Sequence, residues 1–382
     1  MLNADDVVHG GAAGTSLSTS PLHQRHLDLG VKLAPFGGWS MPLEYADGGV
    51  LKEHAAVRGG VGVFDVSHLG KATVRGPGAA AYLNSCLSND LDRISAGRAQ
   101  YTMCVDDRSG GVVDDLIAYL RGPDEVFLVP NAANTAEVCR RLAAAAPDGI
   151  QVRDEHHDHA VLAVQGPASD RLLTALGLPT GHDYMSFVQV EHAGAPLTVC
   201  RTGYTGERGY ELVTSTGAAP ALWDALITGG ADLGVRPCGL GARDTLRTEM
   251  GYPLHGQDLS MEISPVEARL IWAVGWTKSS FWGKDVLTAQ REAKGGPLLR
   301  GLVASGRGIA RPGMAVLLPD AEQSMGRITS GTFSPTRRQG IALALLDRSV
   351  HDGDEVAVQV RGRREAFVVT KPPFVEAGVR GA

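Results

Sequence analysis

The sequence predicts an α+β protein of more than one domain that ends in a small all-β unit, and three observations predict it. The chain has 382 residues, 43% of them hydrophobic, which suits two or three units at about 100–200 residues each. Strand-like and helix-like stretches alternate from residue 50 to residue 227 without a G-x-G-x-x-G fingerprint, which favours α+β over a doubly wound sheet. At Ala293-Lys294-Gly295-Gly296-Pro297 the texture changes to short β-prone runs separated by Gly, Pro and Asp.

The elements follow in order. The first twenty residues hold Asp5, Asp6 and a Gly/Ala/Ser/Thr stretch, with neither a basic start nor an apolar core, so they read as a frayed tail rather than a targeting signal. A short helix is expected within 22–32, and the turn formers and aromatics of 34–42 read as a structured loop or strand edge. A helix over 50–58 precedes a strand over 61–65. Strands are then expected at 71–74, 99–105, 112–119 and 126–130, with helices at 79–86 and 135–146. The alternation recurs through 160–165, 169–175, 186–191, 197–201, 209–213 and 219–227. Past the boundary, runs at 299–303, 315–318, 325–329, 341–346, 355–360 and 365–370 describe a barrel or sandwich of about eighty residues. The expected division is a disordered tail over 1–19, α+β units over 20–150 and 151–290, and the all-β unit over 297–376.

Two stretches carry chemistry. In Gly110-Gly111-Val112-Val113-Asp114-Asp115-Leu116-Ile117-Ala118-Tyr119, adjacent acids interrupt a β-prone run. Alternation sends Asp114 and Asp115 to opposite faces, one toward solvent and the other toward a packed interior or a pocket. A buried carboxylate must be neutralised, hydrogen-bonded or matched by a ligand; a strand ending in a polar turn would give the same letters. Tyr119, four residues past Asp115, shares its strand face. The run Arg201-Thr202-Gly203-Tyr204-Thr205-Gly206-Glu207-Arg208-Gly209-Tyr210-Glu211 is either a glycine-bearing hairpin or a pocket wall, and only one of Tyr210 and Glu211 is expected to face inward. Arg243 and Arg247 lie one helical turn apart, where they either pair with Asp244 and Glu249 on a surface or reach a ligand.

Other features bound the function. A formal net charge of -6 argues against non-specific nucleic-acid binding. The five cysteines form no CxxC pair, so a reducing cytoplasm is expected rather than a disulfide framework or a zinc knuckle. No apolar run is long enough for a bilayer. The cluster His156, His157 and His159 lacks ligand spacing and reads as an exposed connector, so no metal is expected. Arg337-Arg338 and Arg361-Gly362-Arg363-Arg364 are either a solvated face or a docking patch for an acidic protein or polyanionic ligand tail.

Taken together, the motifs resemble a known family. The run SPLHQRHLDLGVKLAPFGGWSMPLEY is followed by EHAAVRGGVGVFDVSHLGK, GRAQYTMCVDDRSGGVVDDLIAY, VPNAAN and LAVQGPAS. RTGYTGERGYEL, CGLGARDTLRTEMGYPLHGQDL, SPVEARLIWAV, GRITSGTFSPTRRQGIALALL and VTKPPFV complete the series. In this order, from Ser20 to Val375, they are similar to the aminomethyltransferases, or T-proteins, of the glycine cleavage system.

The resemblance implies a three-domain clover-leaf around a central folate site, with a C-terminal β-barrel. It implies an aminomethyl group carried on the dihydrolipoyl arm of the lipoylated H-protein, and tetrahydrofolate as acceptor. The implied products are 5,10-methylenetetrahydrofolate, ammonia and the free dithiol arm. By match to the family motifs, Asp115 is the essential acid, with Asp114 as the fallback, and Glu211 binds the pterin. Arg243 contacts the ligand, Tyr204, Tyr101 and Tyr119 line the pocket, and Asn131 lies near the pteridine. The chain departs from the family at His23, usually Tyr, and at Arg269 and Ile271, usually smaller residues. Related oxidases carry a flavin domain for which this chain lacks length and fingerprint. A sulfonium demethylase acting on tetrahydrofolate is the nearer rival, and the non-catalytic folate-binding branch carries a cysteine signature where Gly203 stands.

Overall fold

The chain is described by a computed structural model covering residues 16–379. Residues 1–15 of the expected tail lie outside the described residues, whereas Ser18–Thr19 form a short strand parallel to Trp39 and Ser40. Helix His23–Asp28 follows. The stretch expected as a loop or strand edge is instead a two-stranded hairpin, Val31–Phe36 against Trp39–Tyr45. Its turn is Gly37-Gly38, both at positive φ, the backbone that two-residue hairpins demand.

Two sheets hold the middle of the chain. The first is antiparallel, in the order Arg98–Val105, Val112–Gly122, Glu125–Val129, Ala72–Arg75, Gln151–Asp154. Helices Ala79–Cys86 and Thr135–Ala145 bury their apolar residues against it. The second runs Phe187–His192, Ala195–Cys200, Gly209–Ser215, His159–Gln165, Gly62–Asp65, Arg236–Cys238. Gly62–Asp65 precedes every strand of the first sheet in sequence, yet it pairs with His159–Gln165. The chain therefore crosses from one sheet to the other early.

Strand Gly209–Ser215 is covered on both faces. Tyr210 and Leu212 enter one apolar cluster and Val213 enters another. The expectation that only one of Tyr210 and Glu211 faces inward is corrected by this: both are buried, because other parts of the chain pack on both faces of the strand.

From Leu298 onward six strands close a barrel, in the order Leu298–Ala304, Gln339–Leu346, Ser324–Ser334, Ala315–Leu317, Glu355–Val360, Arg363–Thr370. Of the two all-β options the barrel is the one formed, because Arg363–Thr370 pairs back onto Leu298–Ala304 and leaves no free edge. Strand alternation gives the barrel two apolar faces. Leu302, Ala342, Ala344, Val356, Val358 and Phe367 fill its interior. Leu299, Val303, Ile341, Leu343 and Leu345 pack outward on Met103, Val112, Ile263 and Phe281. Each such buried side chain contributes about 1.5–3 kcal/mol, so the barrel is held to the first sheet by apolar burial. Among the described residues no helix is long and apolar enough to cross a membrane.

Candidate functional site

Asp114 and Asp115 stand on strand Val112–Gly122 and point to opposite faces. Asp114 is fully buried and accepts three hydrogen bonds: from the Asn131 backbone N–H at 3.0 Å, the Asn131 side-chain amide at 2.9 Å and the Asn134 amide at 2.7 Å. Asp115 is half-buried. It accepts from the Tyr101 hydroxyl at 3.0 Å and from the Asn131 amide at 2.9 Å. Asn131 thus joins the two acids through one Nδ2. Burial pushes both carboxyls above the usual carboxylate range, and at Asp114 the charge of Asp115 adds to it. The three donors on Asp114 pull partly the other way. His255 completes the back of this arrangement. Its Nε2–H donates to the Val112 carbonyl at 3.0 Å, and its Nδ1 accepts from Asn134 at 3.0 Å; the tautomer follows from those partners.

Glu211 approaches from the second sheet. It is 9% exposed and accepts from the Thr202 hydroxyl at 2.5 Å. Thr202 in turn accepts from Tyr119, whose hydroxyl lies 3.2 Å away. Tyr119 packs between the two sheets beside Phe127 and Phe187, so it supports Glu211 rather than Asp115. Sharing a strand face with Asp115 did not bring it to the same carboxylate.

Arg243 and Arg247, on helix Leu240–Met250, have different surroundings. Arg247 is neutralised by Asp244 at 2.7 Å and Asp258 at 2.9 Å. Arg243 lies over the Tyr204 ring, 4.8 Å from its centroid, and its Nη1 is buried without a partner. Burial lowers its pKa, and the charge of Glu211 opposes that; an arginine remains cationic under either influence. Tyr204 stacks on Tyr252 at 5.7 Å and donates its hydroxyl to the Pro253 carbonyl. Burial raises the Tyr204 pKa, and the charge of Asp115 raises it further. Tyr204, in contact with Arg243, lies on the same turn as Thr202, the partner of Glu211, and this group is the candidate polar recess.

Tyr101 stacks on Trp272 at 5.4 Å, and Trp272 is 61% exposed. The departing segment of the sequence thus covers the tyrosine that holds Asp115, with Arg269 in left-handed backbone and Ile271 exposed. An open groove of about 650 Å³ lies along Gly296, Arg327, Asp347 and Arg348 and contains none of these residues.

The chain matches the family described as GCVT N-terminal domain over residues 22–278, and the glycine cleavage T-protein C-terminal barrel domain over 298–376. The chain belongs to the glycine cleavage T-protein family. A relative named aminomethyltransferase from Parafrankia sp. is 63% identical over 364 residues, 95% of this chain and 99% of the relative. One from Mycobacterium tuberculosis is 54% identical over 382 residues, the whole of both chains. The crystal structure of the glycine cleavage system aminomethyltransferase T from Bartonella henselae is 33% identical and has a TM-score of 0.89, covering 95% of this chain and 99% of that one. As a T-protein the chain is an enzyme, an aminomethyltransferase, and tetrahydrofolate is a substrate of that family.

Several residues that brace these acids and tyrosines were not singled out from the sequence. Thr202 bridges Tyr119 to Glu211, Asn134 and His255 brace Asp114, and Trp272 covers Tyr101. Thr202, Asn134 and His255 are common polar types and Trp272 lies in a single short turn of helix, Ile271–Ala273, so no periodicity marked them. Glu249, which the sequence offered as a partner for Arg243 or Arg247, serves elsewhere. It accepts from Arg58 at 2.7 Å and from Ser334 and Thr336 of the barrel, and His54 lies 3.3 Å away. The histidine cluster expected to be an exposed connector is partly packed: His156 and His157 stack on each other and on Trp39. Among the described residues no group of three or more His, Cys, Asp or Glu could hold a metal ion, and all five cysteines are free and buried.

Proposed function

We propose that this T-protein takes an aminomethyl group from the dihydrolipoyl arm of a lipoylated carrier, the H-protein, and passes its carbon to tetrahydrofolate in the cytoplasm. Two new C–N bonds bridge the folate nitrogens with one methylene, while the C–S and C–N bonds of the thioaminal break. One displaced N–H proton ends on the dithiol sulfur and the other leaves with ammonia. The observation that carries this reading is Asp115, a half-buried acid whose two oxygens are held by Tyr101 and Asn131.

In this role Asp115 faces the folate nitrogens and offsets the positive charge that builds on the transferring carbon, or accepts a proton from nitrogen; its raised pKa suits the second. Asp114 holds Asn131, and Asn131 holds Asp115. Glu211, braced by Thr202 and Tyr119, accepts donors on the pterin edge. Arg243 offers its unpartnered Nη1 to a ligand acceptor beside Tyr204. Tyr101 and Tyr204 supply the aromatic walls. The free cysteines are consistent with a reducing compartment.

The experiment mixes the protein with aminomethyl-loaded carrier and tetrahydrofolate and follows ammonia and 5,10-methylenetetrahydrofolate together. Equal, carrier-dependent release of both is expected. Methyl transfer from a sulfonium compound, with no response to the loaded carrier, would refute the reading.

A further inference from the structure

The turn that carries Tyr204 makes few bonds of its own. Strand Ala195–Cys200 ends before it and strand Gly209–Ser215 begins at its far side. Its carbonyls are held from outside instead. The Thr202 carbonyl accepts from the Gln165 amide at 3.2 Å and the Thr205 carbonyl from Arg58 at 2.8 Å. The Gly206 carbonyl accepts from the Gly378 backbone N–H at 2.7 Å. Arg201, at the start of the turn, is almost fully buried, yet its hydrogen bonds go only to carbonyls. Nη1 reaches Gly209 at 3.2 Å, Nη2 reaches Val379 at 2.7 Å, and Nε has no partner. The nearby carboxylate, Asp170, is taken by Arg208 at 2.7 Å. A buried guanidinium without a hydrogen-bonded carboxylate is costly, so its carbonyl contacts call for a reason.

The second carbonyl comes from the stretch that follows the last barrel strand. After the last barrel strand, Phe374 is fixed: its N–H donates to the Glu249 carbonyl at 2.7 Å, its carbonyl accepts from Arg337 at 2.9 Å, and its ring joins the apolar core. Four and five residues later, Gly378 meets the turn at Gly206 and Val379 meets Arg201. The barrel family match ends at residue 376, so both contacts fall beyond it. We infer that Arg201 is a positioning residue and that residues 376–379 are a strap. Together they close the turn from outside and fix where Tyr204 stands beside Arg243. The inference rests on reading this recess as a folate site.

The test uses the full chain, a chain ending at Val375, Gly378→Pro (which removes the N–H given to Gly206), Arg201→Met and Arg201→Lys. Amide exchange of 203–207 and the KM and kcat for tetrahydrofolate are measured on each, with thermal midpoints alongside. The shortened chain and Gly378→Pro are expected to exchange faster across 203–207 and to raise KM about tenfold, the size of one lost contact to a held group. The kcat at saturation is expected to change less than about twofold, and Arg201→Lys to recover part of what Arg201→Met loses. Unchanged exchange in the shortened chain and in Gly378→Pro overturns the strap. Faster exchange with unchanged KM overturns the positioning role. A full-length protein that does not bind tetrahydrofolate refutes the folate reading itself, while the exchange data still decide whether the strap holds the turn.

Discussion

At the residue scale, a single amide connects two acids that the backbone forces apart. Asn131 reaches both Asp114 and Asp115, so Asp114 acts on the recess through Asn131. Asp115→Asn is expected to lower kcat by at least about a hundredfold while moving tetrahydrofolate affinity less than about threefold. Full turnover by that variant, followed as methylenetetrahydrofolate formation, would remove Asp115 from the chemistry. The Tyr101 hydroxyl lowers the Asp115 pKa by donating to its charged form. Tyr101→Phe therefore raises that pKa, and the acidic limb of kcat/KM is expected to move to higher pH, because the carboxylate is lost earlier on acidification. An acidic limb at the same pH in both proteins would show that the limb belongs to another group. The acid pair could be picked out from letters alone, since charged types inside an apolar run are conspicuous, whereas Arg243 was set apart from Arg247 only by the family resemblance. Thr202 could not: its importance comes only from standing between Tyr119 and Glu211.

At the element scale, the strand bearing both acids starts where the backbone is tightly packed. A Cβ built on Gly111 would lie 1.9 Å from the Met261 carbonyl oxygen, and backbone cannot swing aside as a side chain can. Val112 donates to the Ser260 carbonyl at 2.8 Å in the same place. Gly111→Ala is expected to destabilise the fold by about 1–3 kcal/mol and to lower turnover by displacing Asp114 and Asp115. A wild-type urea midpoint would contradict it. Most elements were legible because their periodicities are strong: helix 79–86 and most barrel runs match the structure closely, while the run expected at 325–329 is part of the longer strand Ser324–Ser334. The hairpin over 31–45 was not, because its Gly-Gly turn also suits an irregular loop and only pairing with Ser18 and Thr19 completes its sheet.

At the scale of the whole molecule, Glu249 joins parts of the chain that are distant in sequence. Helix Gly49–Gly59 supplies Arg58 and His54, and the barrel supplies Ser334 and Thr336. These partners hold the Glu249 carboxyl at about 2, against 4.5 for the free side chain, although burial opposes them. A depressed folded-state pKa gives stability that is present above pH 4.5 and lost as pH falls toward 2. The loss is on the order of 3 kcal/mol. Urea unfolding at stepped pH is expected to show this decline in the wild type and a flatter profile in Glu249→Gln. That variant is also expected to be less stable at neutral pH, because Arg58 then keeps only Glu207 as an acidic partner. Equal slopes in the two proteins would place the acid sensitivity elsewhere.

The sequence by itself determined the class of fold, the barrel as a separate all-β unit or sandwich, the family, and the residue types that can carry the chemistry. Those follow from periodicity, turn residues and motif order, which are local properties of the chain. Only the tertiary structure decided that Gly62–Asp65 pairs within the second sheet, that Tyr119 serves Glu211, that Arg243 rather than Arg247 has an unpartnered nitrogen, and that Gly378 meets the Tyr204 turn. Each of these depends on which distant groups meet and on what burial leaves unsatisfied, and neither is encoded at any one position.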